Sequence, residues 1–249
     1  MKIFIILLLL SYTTHISFGQ TKIEKIVPVN QGQQINFNFT WPELITFRTW
    51  SGNEVKLVAF VNINRGQNDE AFKFTVDKTS SEITIASLIE DYKSLPRKII
   101  IKKGGQEYFF NTDDTNSPAI QKFKEEHGHE GYDYINYGVI MEITLEVWLP
   151  NNISIDVYSK FGLIEVYSFN GEMKLHSKFG GIDLSTSGNQ AIKAGTKFGE
   201  KYTNLAQPIK TISIGNHPGK WDWVMLGSSK TSIQHELKSE FGNIYIRKL

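Results

Sequence analysis

The chain has 249 residues and no Cys, with 27 Lys and Arg against 26 Asp and Glu for a formal net charge of +1. That balance excludes the basic excess that a nucleic acid or an anionic membrane surface calls for. The lack of Cys excludes a disulfide framework, and the length suits one large β domain or two smaller ones.

The amino terminus reads as a secretory signal peptide over residues 1–19. Lys2 is followed by the apolar run Ile3 to Leu10, then by small and polar residues leading to Ser17-Phe18-Gly19-Gln20. The run is too short to span a bilayer, and no Cys follows it that could carry a lipid. Cleavage after Gly19 leaves 230 residues with 26 basic and 26 acidic side chains, so the exported chain is neutral. No membrane span appears in it. It is expected in the periplasm or at the cell surface.

Residues 20–150 read as a β-rich amino-terminal region and cap. Ile23 to Thr40 is strand-like around Gly32. Ile45, Phe47 and Thr49 alternate up to Trp50, Ser51-Gly52-Asn53 turns the chain, and Val55, Leu57, Ala59, Val61 and Ile63 share one face. Phe72, Phe74 and Val76, then Ile83 and Ile85, then Ile99 and Ile101 mark further strands. Two stretches carry helical spacing: Ser87 to Leu95, stopped by Pro96, and Ala119 to Glu126, with Pro118 in the first turn. Val139 to Leu149 gives the longest clean alternation, stopped by Pro150.

Residues 151–249 repeat. Apolar pairs fall at Ile155/Val157, Ile164/Val166, Met173/Leu175, Ile182/Leu184 and Ile192/Ala194, in steps of nine, nine, nine and ten. A four-residue word punctuates every second step: Ser159-Lys160-Phe161-Gly162, Ser177-Lys178-Phe179-Gly180 and Thr196-Lys197-Phe198-Gly199. It returns as Ser239-Glu240-Phe241-Gly242. Short strands with one or two inward apolar residues cannot hold themselves together alone, so the pattern predicts an all-β fold with a β-solenoid of 18–19-residue coils. Each Phe is expected to stack on the next, Gly to supply positive φ at the corner, and the Lys residues to form a like-charge ladder that needs solvation. The 43-residue gap from Phe198 to Phe241 calls for an insertion, with Gly215-Asn216-His217-Pro218-Gly219 as its turn and Tyr202, Ile212/Ile214 and Ile233/His235 as its rungs. Ile244/Ile246 is the last rung.

Trp50-Ser-Gly-Asn-Glu-Val55, together with Met141 to Pro150, Ile155-Asp-Val157 and the repeated Phe-Gly steps, resembles the secreted "putative adhesin" families of Gram-negative bacteria, domains of unknown function. The resemblance covers most of the exported chain and implies a β-solenoid of short strands. It carries over no catalytic residues. The sequence departs from that pattern in the Phe198–Phe241 gap and in the polar insert 111–136.

Chemistry-bearing clusters are few. Glu125-Glu126-His127-Gly128-His129-Glu130 offers His127 and His129 as weak metal candidates, without the i,i+4 spacing of a helical zinc motif. Asn111-Thr112-Asp113-Asp114-Thr115-Asn116 is rich in oxygen donors but lacks an EF-hand's spacing and distal Glu. Asp156, Glu165, Glu172 and Asp183 recur on the repeat, and Asp156 and Glu165 are a candidate pair for glycoside chemistry. Trp221 and Trp223, in the suspected insertion, are candidate binding residues, with Trp41, Trp50 and Trp148 as further aromatic surface. No nucleophile motif, phosphate loop or dinucleotide pattern occurs, and no cofactor is expected. The sequence thus predicts a non-enzymatic recognition or structural protein of the cell envelope. Its expected partner is an envelope or host protein or a polysaccharide, and not nucleic acid. The alternatives are a carbohydrate-active enzyme on the same scaffold and a periplasmic sensing or assembly component.

Overall fold

The computed structural model describes residues 20–151, 153–167, 169, 171–186, 192–198, 201–205, 212–217, 220–224, 235–240 and 244–248. For Thr186, and past Phe198 for all but Glu240, the description is of the backbone. The predicted signal peptide at 1–19, and Gly199, Phe241 and Gly242 of the repeated words, lie outside these residues. The strands are β1 (Thr21–Pro28), β2 (Gln34–Phe39), β3 (Leu44–Thr49), β4 (Glu54–Ile63), β5 (Phe72–Lys78), β6 (Glu82–Ile89), β7 (Lys98–Lys103), β8 (Gln106–Phe110), β9 (Tyr134–Gly138) and β10 (Met141–Leu149). They continue as β11 (Ser154–Ser159), β12 (Leu163–Tyr167), β13 (Met173–Ser177), β14 (Ile182–Thr186), β15 (Ile192–Thr196), β16 (Lys201–Leu205), β17 (Ile212–His217), β18 (Lys220–Val224), β19 (His235–Ser239) and β20 (Ile244–Lys248). Among the described residues one α-helix, α1 (Pro118–His127), stands with them, so the fold is all-β in class.

Two long sheets share one core. The first runs β1-β4-β10-β3-β12-β14-β16-β20 and the second β18-β17-β19-β15-β13-β11-β2-β6-β5. From β11 to β16 the chain alternates between them, so strands two apart in sequence pair in parallel and in register: Ile155 with Met173, Met173 with Ile192, Ile164 with Ile182. Alternate residues point inward. Ile155, Val157, Ile164, Val166, Leu175, Ile182, Leu184 and Ile192 are all buried in the cluster that also holds Phe37, Phe39 and Phe47. A five-residue strand buries only two such side chains, so its stability comes from its neighbours in the stack.

The ladders do not begin at the repeat. β2 pairs in parallel with β11, and β3 with β12, so Ile35/Phe37 and Ile45/Phe47 form the preceding rungs. The chain then goes past the next position in both sheets. β4 and β5 lie outermost but for β1, and the later strands β10 and β6 fill the gaps, antiparallel to them and parallel to β3 and β2. The carboxyl-terminal end does the same. β17 and β18 form an antiparallel hairpin at the end of the second sheet, and β19 enters between β15 and β17. The predicted Phe198–Phe241 insertion is thus a hairpin. The predicted Gly215–Gly219 turn falls where β17 gives way to β18: Gly215-Asn216-His217 close the first strand, and past the register shift after Ile214 only His217 pairs with β18, at Lys220. Pro218, Gly219 and Ile233 lie outside the described residues.

Between β6 and β10 stands a smaller unit, the sheet β8-β7-β9 with α1 against it. Ile99, Ile101, Ile120 and Phe123 form its separate core, with Tyr108, Phe110 and Tyr132 packed around them. The predicted helix at Ala119–Glu126 is α1. The helix expected over Ser87–Leu95 is not formed. β6 runs through Ile89 because Ile83, Ile85, Ser87 and Ile89 keep strand alternation against the core, and Asp91 then takes a left-handed conformation before a single 3₁₀ turn at Tyr92–Ser94.

Asn64 ties this unit to the main sheets. It is fully buried, with φ at +53°, a conformation Asn tolerates better than most residues. Its side-chain amide donates to Asn68 Oδ1 at 2.8 Å and to the Pro96 carbonyl at 2.9 Å. Its Oδ1 accepts from the Ile140 amide at 3.1 Å, and its own amide donates to the Ile140 carbonyl at 2.8 Å. One side chain therefore joins both ends of the 97–139 excursion. Asn64→Ala leaves three part-buried groups without this partner and should lower stability by about 1–3 kcal/mol. Chemical denaturation of the variant measures the loss, and one within experimental error would show that the clasp is unimportant.

Candidate functional site

The Ser-Lys-Phe-Gly words form a corner between the two sheets. Ser159 Oγ accepts from the Gly162 amide at 2.9 Å, and Ser177 Oγ accepts from the Gly180 amide at 3.1 Å while donating to the Gly162 carbonyl at 3.1 Å. A buried hydroxyl thus closes its own turn and reaches back to the rung before it. The main chain follows the same course. The Lys178 amide donates to Ser159 O at 2.8 Å, Phe179 to Lys160 O at 2.9 Å, Lys197 to Ser177 O at 3.0 Å and Phe198 to Lys178 O at 2.9 Å. Glycine is needed here for space and not, as expected, for positive φ, which neither Gly162 nor Gly180 has. A Cβ at Gly180 would stand 2.1 Å from the Gly162 carbonyl oxygen, and one at Gly162 2.4 Å from the Pro42 carbonyl oxygen.

Above each corner stands the predicted aromatic ladder. Phe161 and Phe179 stack at 5.5 Å between ring centres and 17°, Phe179 and Phe198 at 5.3 Å and 9°. Trp41 lies 6.2 Å from Phe161 and Tyr92 4.4 Å from Trp41, which extends the aromatic row toward the amino terminus. The three Phe rings stay 44–47% exposed. Lys160, Lys178 and Lys197 each place Nζ over the ring of their own Phe, at 4.8, 5.0 and 5.4 Å, and Lys197 pairs with Glu240 at 3.5 Å. Ring quadrupoles and one carboxylate thereby offset the like-charge repulsion.

Beside the corner, the outer face of the second sheet carries registered columns. Asp156, Lys174 and Lys193 form one; Tyr158, His176 and Gly195 form the next. Tyr158 and His176 stack at 5.5 Å and 13°. Gly195 contributes no ring, and an open hollow of about 300 Å³ lies there between His176, Lys174 and Lys193. The sequence reading missed this column. Its signal was present, because Tyr158, His176 and Gly195 follow the same 18- and 19-residue steps as the Phe residues.

The first sheet's outer face differs. Glu165 and Asp183 are registered neighbours, Thr46 Oγ1 donates to Glu165 at 3.2 Å, and Arg48 lies 5.0 Å over the Tyr167 ring. Burial, then the charge and hydrogen bond of Glu165 and the charge of Asp183, hold the Tyr167 phenol above the ordinary tyrosine range, with Arg48 opposing. Asp156 and Glu165, expected near one another, are not brought together. They sit on the two strands of one turn of chain, in different sheets, each in the set that alternates with the core residues.

The remaining candidates disperse. His127 ends α1 with its ring stacked on Phe123 at 4.6 Å and near Tyr108 at 5.0 Å; His129 is exposed. Among the described residues no three His, Asp or Glu side chains converge as a metal site. In the 111–116 loop, Asp114 Oδ1 accepts from the Asn116 amide at 2.8 Å and the Asp114 amide donates to Thr112 Oγ1 at 3.1 Å, an ordinary polar turn. Trp50 donates its indole N–H to the Glu54 carbonyl at 2.8 Å, and Trp41 packs on the core. Trp221 and Trp223 are on β18, and their side chains lie outside the described residues. No described helix is long and apolar enough to cross a membrane.

No family model matches the chain, and no curated protein does. Among solved structures it is similar to a "putative cell adhesion protein" from Clostridium sporogenes ATCC 15579, at 13% identity and TM-score 0.47, over 92% of this chain and 100% of that one. It is also similar to a "putative adhesin" from Bacteroides fragilis NCTC 9343, at 10% identity and TM-score 0.24, over 92% and 97% of the two chains. A "putative adhesin" from Parabacteroides distasonis ATCC 8503 follows, at 8% identity and TM-score 0.20, over 92% and 98%. At these values none of the three bears on function.

Two outcomes follow from the corner and the first sheet. Gly180→Ala drives a methyl into backbone that the next rung depends on and should cost about 3 kcal/mol or more. Ser177→Ala should cost about 1–2 kcal/mol, and equal losses in a denaturation series would contradict the packing account. Tyr167 releases its proton later in the folded chain than in the unfolded one. Its contribution to stability is therefore whole below the unfolded tyrosine value near pH 10 and falls away as pH rises above it. Tyr167→Phe should flatten the alkaline loss of stability in a series of melts across that range.

Proposed function

We propose that this protein is a secreted, non-enzymatic, adhesin-like recognition protein built on a β-solenoid and acting at the cell envelope. The registered stacking of β11, β13 and β15 supports the solenoid reading, because one turn of chain visits both sheets and advances by one rung. The observation that carries the function is the periodic surface this makes. The exposed row of Phe161, Phe179 and Phe198 and the adjoining columns of the second sheet repeat along the stack at the strand spacing. A periodic surface suits an elongated partner with its own repeat. The amino-terminal apolar run supports export. The preference for recognition over catalysis rests on Asp156 and Glu165 lying on different sheets, and on Glu165 and Asp183 standing side by side on an outer sheet face.

A screen of the folded chain against cell-wall and host glycans and envelope proteins should yield at least one specific binder that is lost when Phe179 is replaced by Ser. Turnover of a glycan abolished by Glu165→Gln or Asp183→Asn would move the protein to the carbohydrate-active enzymes instead. A screen without binders would overturn the recognition reading.

A further inference from the structure

The small sheet β8-β7-β9 is covered on one face by α1, but only in part. Ile99 and Ile101 of β7 stand opposite Phe110 and Tyr108 of β8, and all four pack with Ile120 and Phe123 of the helix. On its other side β7 sets Ile99 against Tyr137 and Ile101 against Ile135, so Ile135 and Tyr137 of β9 also point to the helix side. The helix leaves them uncovered: Ile135 is 56% exposed and Tyr137 49%. On the opposite face Asn136 is exposed, and Tyr134 donates its hydroxyl to Glu107 Oε2 at 3.3 Å.

β9 is also an edge. Among the described residues it pairs with β7 on one side and with no strand on the other, which leaves one side of its backbone as an open ladder. The described sheets have five other edge strands, and each carries charge: Lys25 on β1, Asp77 on β5, Glu107 on β8, Asp222 on β18 and Arg247 on β20. Charge on an edge opposes pairing with a foreign strand. β9 reads Tyr-Ile-Asn-Tyr-Gly and has none. The unguarded edge is therefore the one that borders two exposed apolar side chains.

That strand is complementary to itself. Antiparallel pairing of two copies about Asn136 sets Ile135 against Tyr137, Asn136 against Asn136 and Tyr134 against Gly138. A β-branched side chain meets an aromatic one on the helix side, amide meets amide on the other, and a large ring meets a residue without a side chain. No like charges are opposed. We infer that β9 is a dimerisation edge: a second copy of this chain pairs with it antiparallel and makes a continuous sheet β8-β7-β9-β9-β7-β8. Both helices then lie on one face, with Ile135 and Tyr137 of the two copies between them. Five residues a side make an interface below about 1,200 Å², so the dimer is weak, with a Kd of about 1–100 µM. This contact is separate from the recognition surface and does not depend on it.

Sedimentation equilibrium of the full exported chain tests it. The dimer fraction should rise through the micromolar range, and Ile135→Lys should weaken association about tenfold or more with the melting temperature kept. The chain has no Cys, so Asn136→Cys supplies a lone thiol that faces its own copy within reach of a disulfide. Under mild oxidation it should cross-link faster than Gln106→Cys, on the exposed start of β8, and this comparison carries the test if Ile135→Lys fails to fold. A monomer at every concentration up to about 1 mM would overturn the inference. So would a dimer that a folded Ile135→Lys leaves intact or that Phe179→Ser abolishes, or cross-linking no faster for Asn136→Cys than for Gln106→Cys. A foreign peptide strand captured on β9 by a chain that stays monomeric would assign the edge to another partner and overturn it as well.

Discussion

The structure depends on how closely successive turns of backbone approach at the Ser-Lys-Phe-Gly corner. Strands that each bury two apolar side chains are held by their neighbours, and the corner sets the height at which each neighbour arrives. Gly162 and Gly180 allow one carbonyl to lie where a Cβ would otherwise be, and the hydroxyls of Ser159 and Ser177 satisfy the amides that the turn exposes. The amides of Lys178 and Phe179 then bond to the rung before, so the parallel ladder continues around the bend. Register is fixed twice, by the inward apolar pairs and by the corner. A one-residue slip would turn the apolar set outward and bring a Cβ against backbone.

Register has a consequence for the surface. In-register stacking turns any residue repeated at the turn length into a column, so the outside of this protein is organised by columns. Phe161, Phe179 and Phe198 make a row of exposed rings. The lysines beside them are tolerable because each ammonium lies over a ring. The registers of the second sheet mix signs, Asp156 with Lys174 and Lys193 with Glu236, whereas Glu165 and Asp183 stand together on the first.

Most of the repeat could be read from the sequence because its signals are local. The apolar pairs, the strand at Met141–Leu149, α1 and the stacking of the Phe residues follow from spacing alone. Asp156 and Glu165 were misplaced because the nine-residue step moves from one sheet to the other, and neighbours in the stack are 18 or 19 residues apart. Ser87–Leu95 misled because Leu88, Ile89, Tyr92 and Leu95 also fit helical spacing, while the inward strand residues begin earlier, at Ile83. The insertion of β6 and β10 behind β4 and β5, and of β19 behind β17, could not be read at all, since it depends on pairings between distant segments. The amino-terminal end uses this device in both sheets and the carboxyl-terminal end in the second alone, since β20 pairs in parallel with β16 at the end of the first. The device places antiparallel strands where a parallel ladder would otherwise offer its edge. Asn64, which clasps the inserted unit, sits in an unremarkable polar stretch, and only its burial reveals its role.

Amide hydrogen exchange at the corners tests most directly whether the rungs are locked there. The account predicts that the amides of Lys178, Phe179, Lys197 and Phe198, although they belong to turns, exchange as slowly as those of the strands on either side. Exchange at the rate of exposed turns, with the strands still protected, would contradict it. It would mean that the apolar pairs alone hold the register and that the columns on the surface are free to shift.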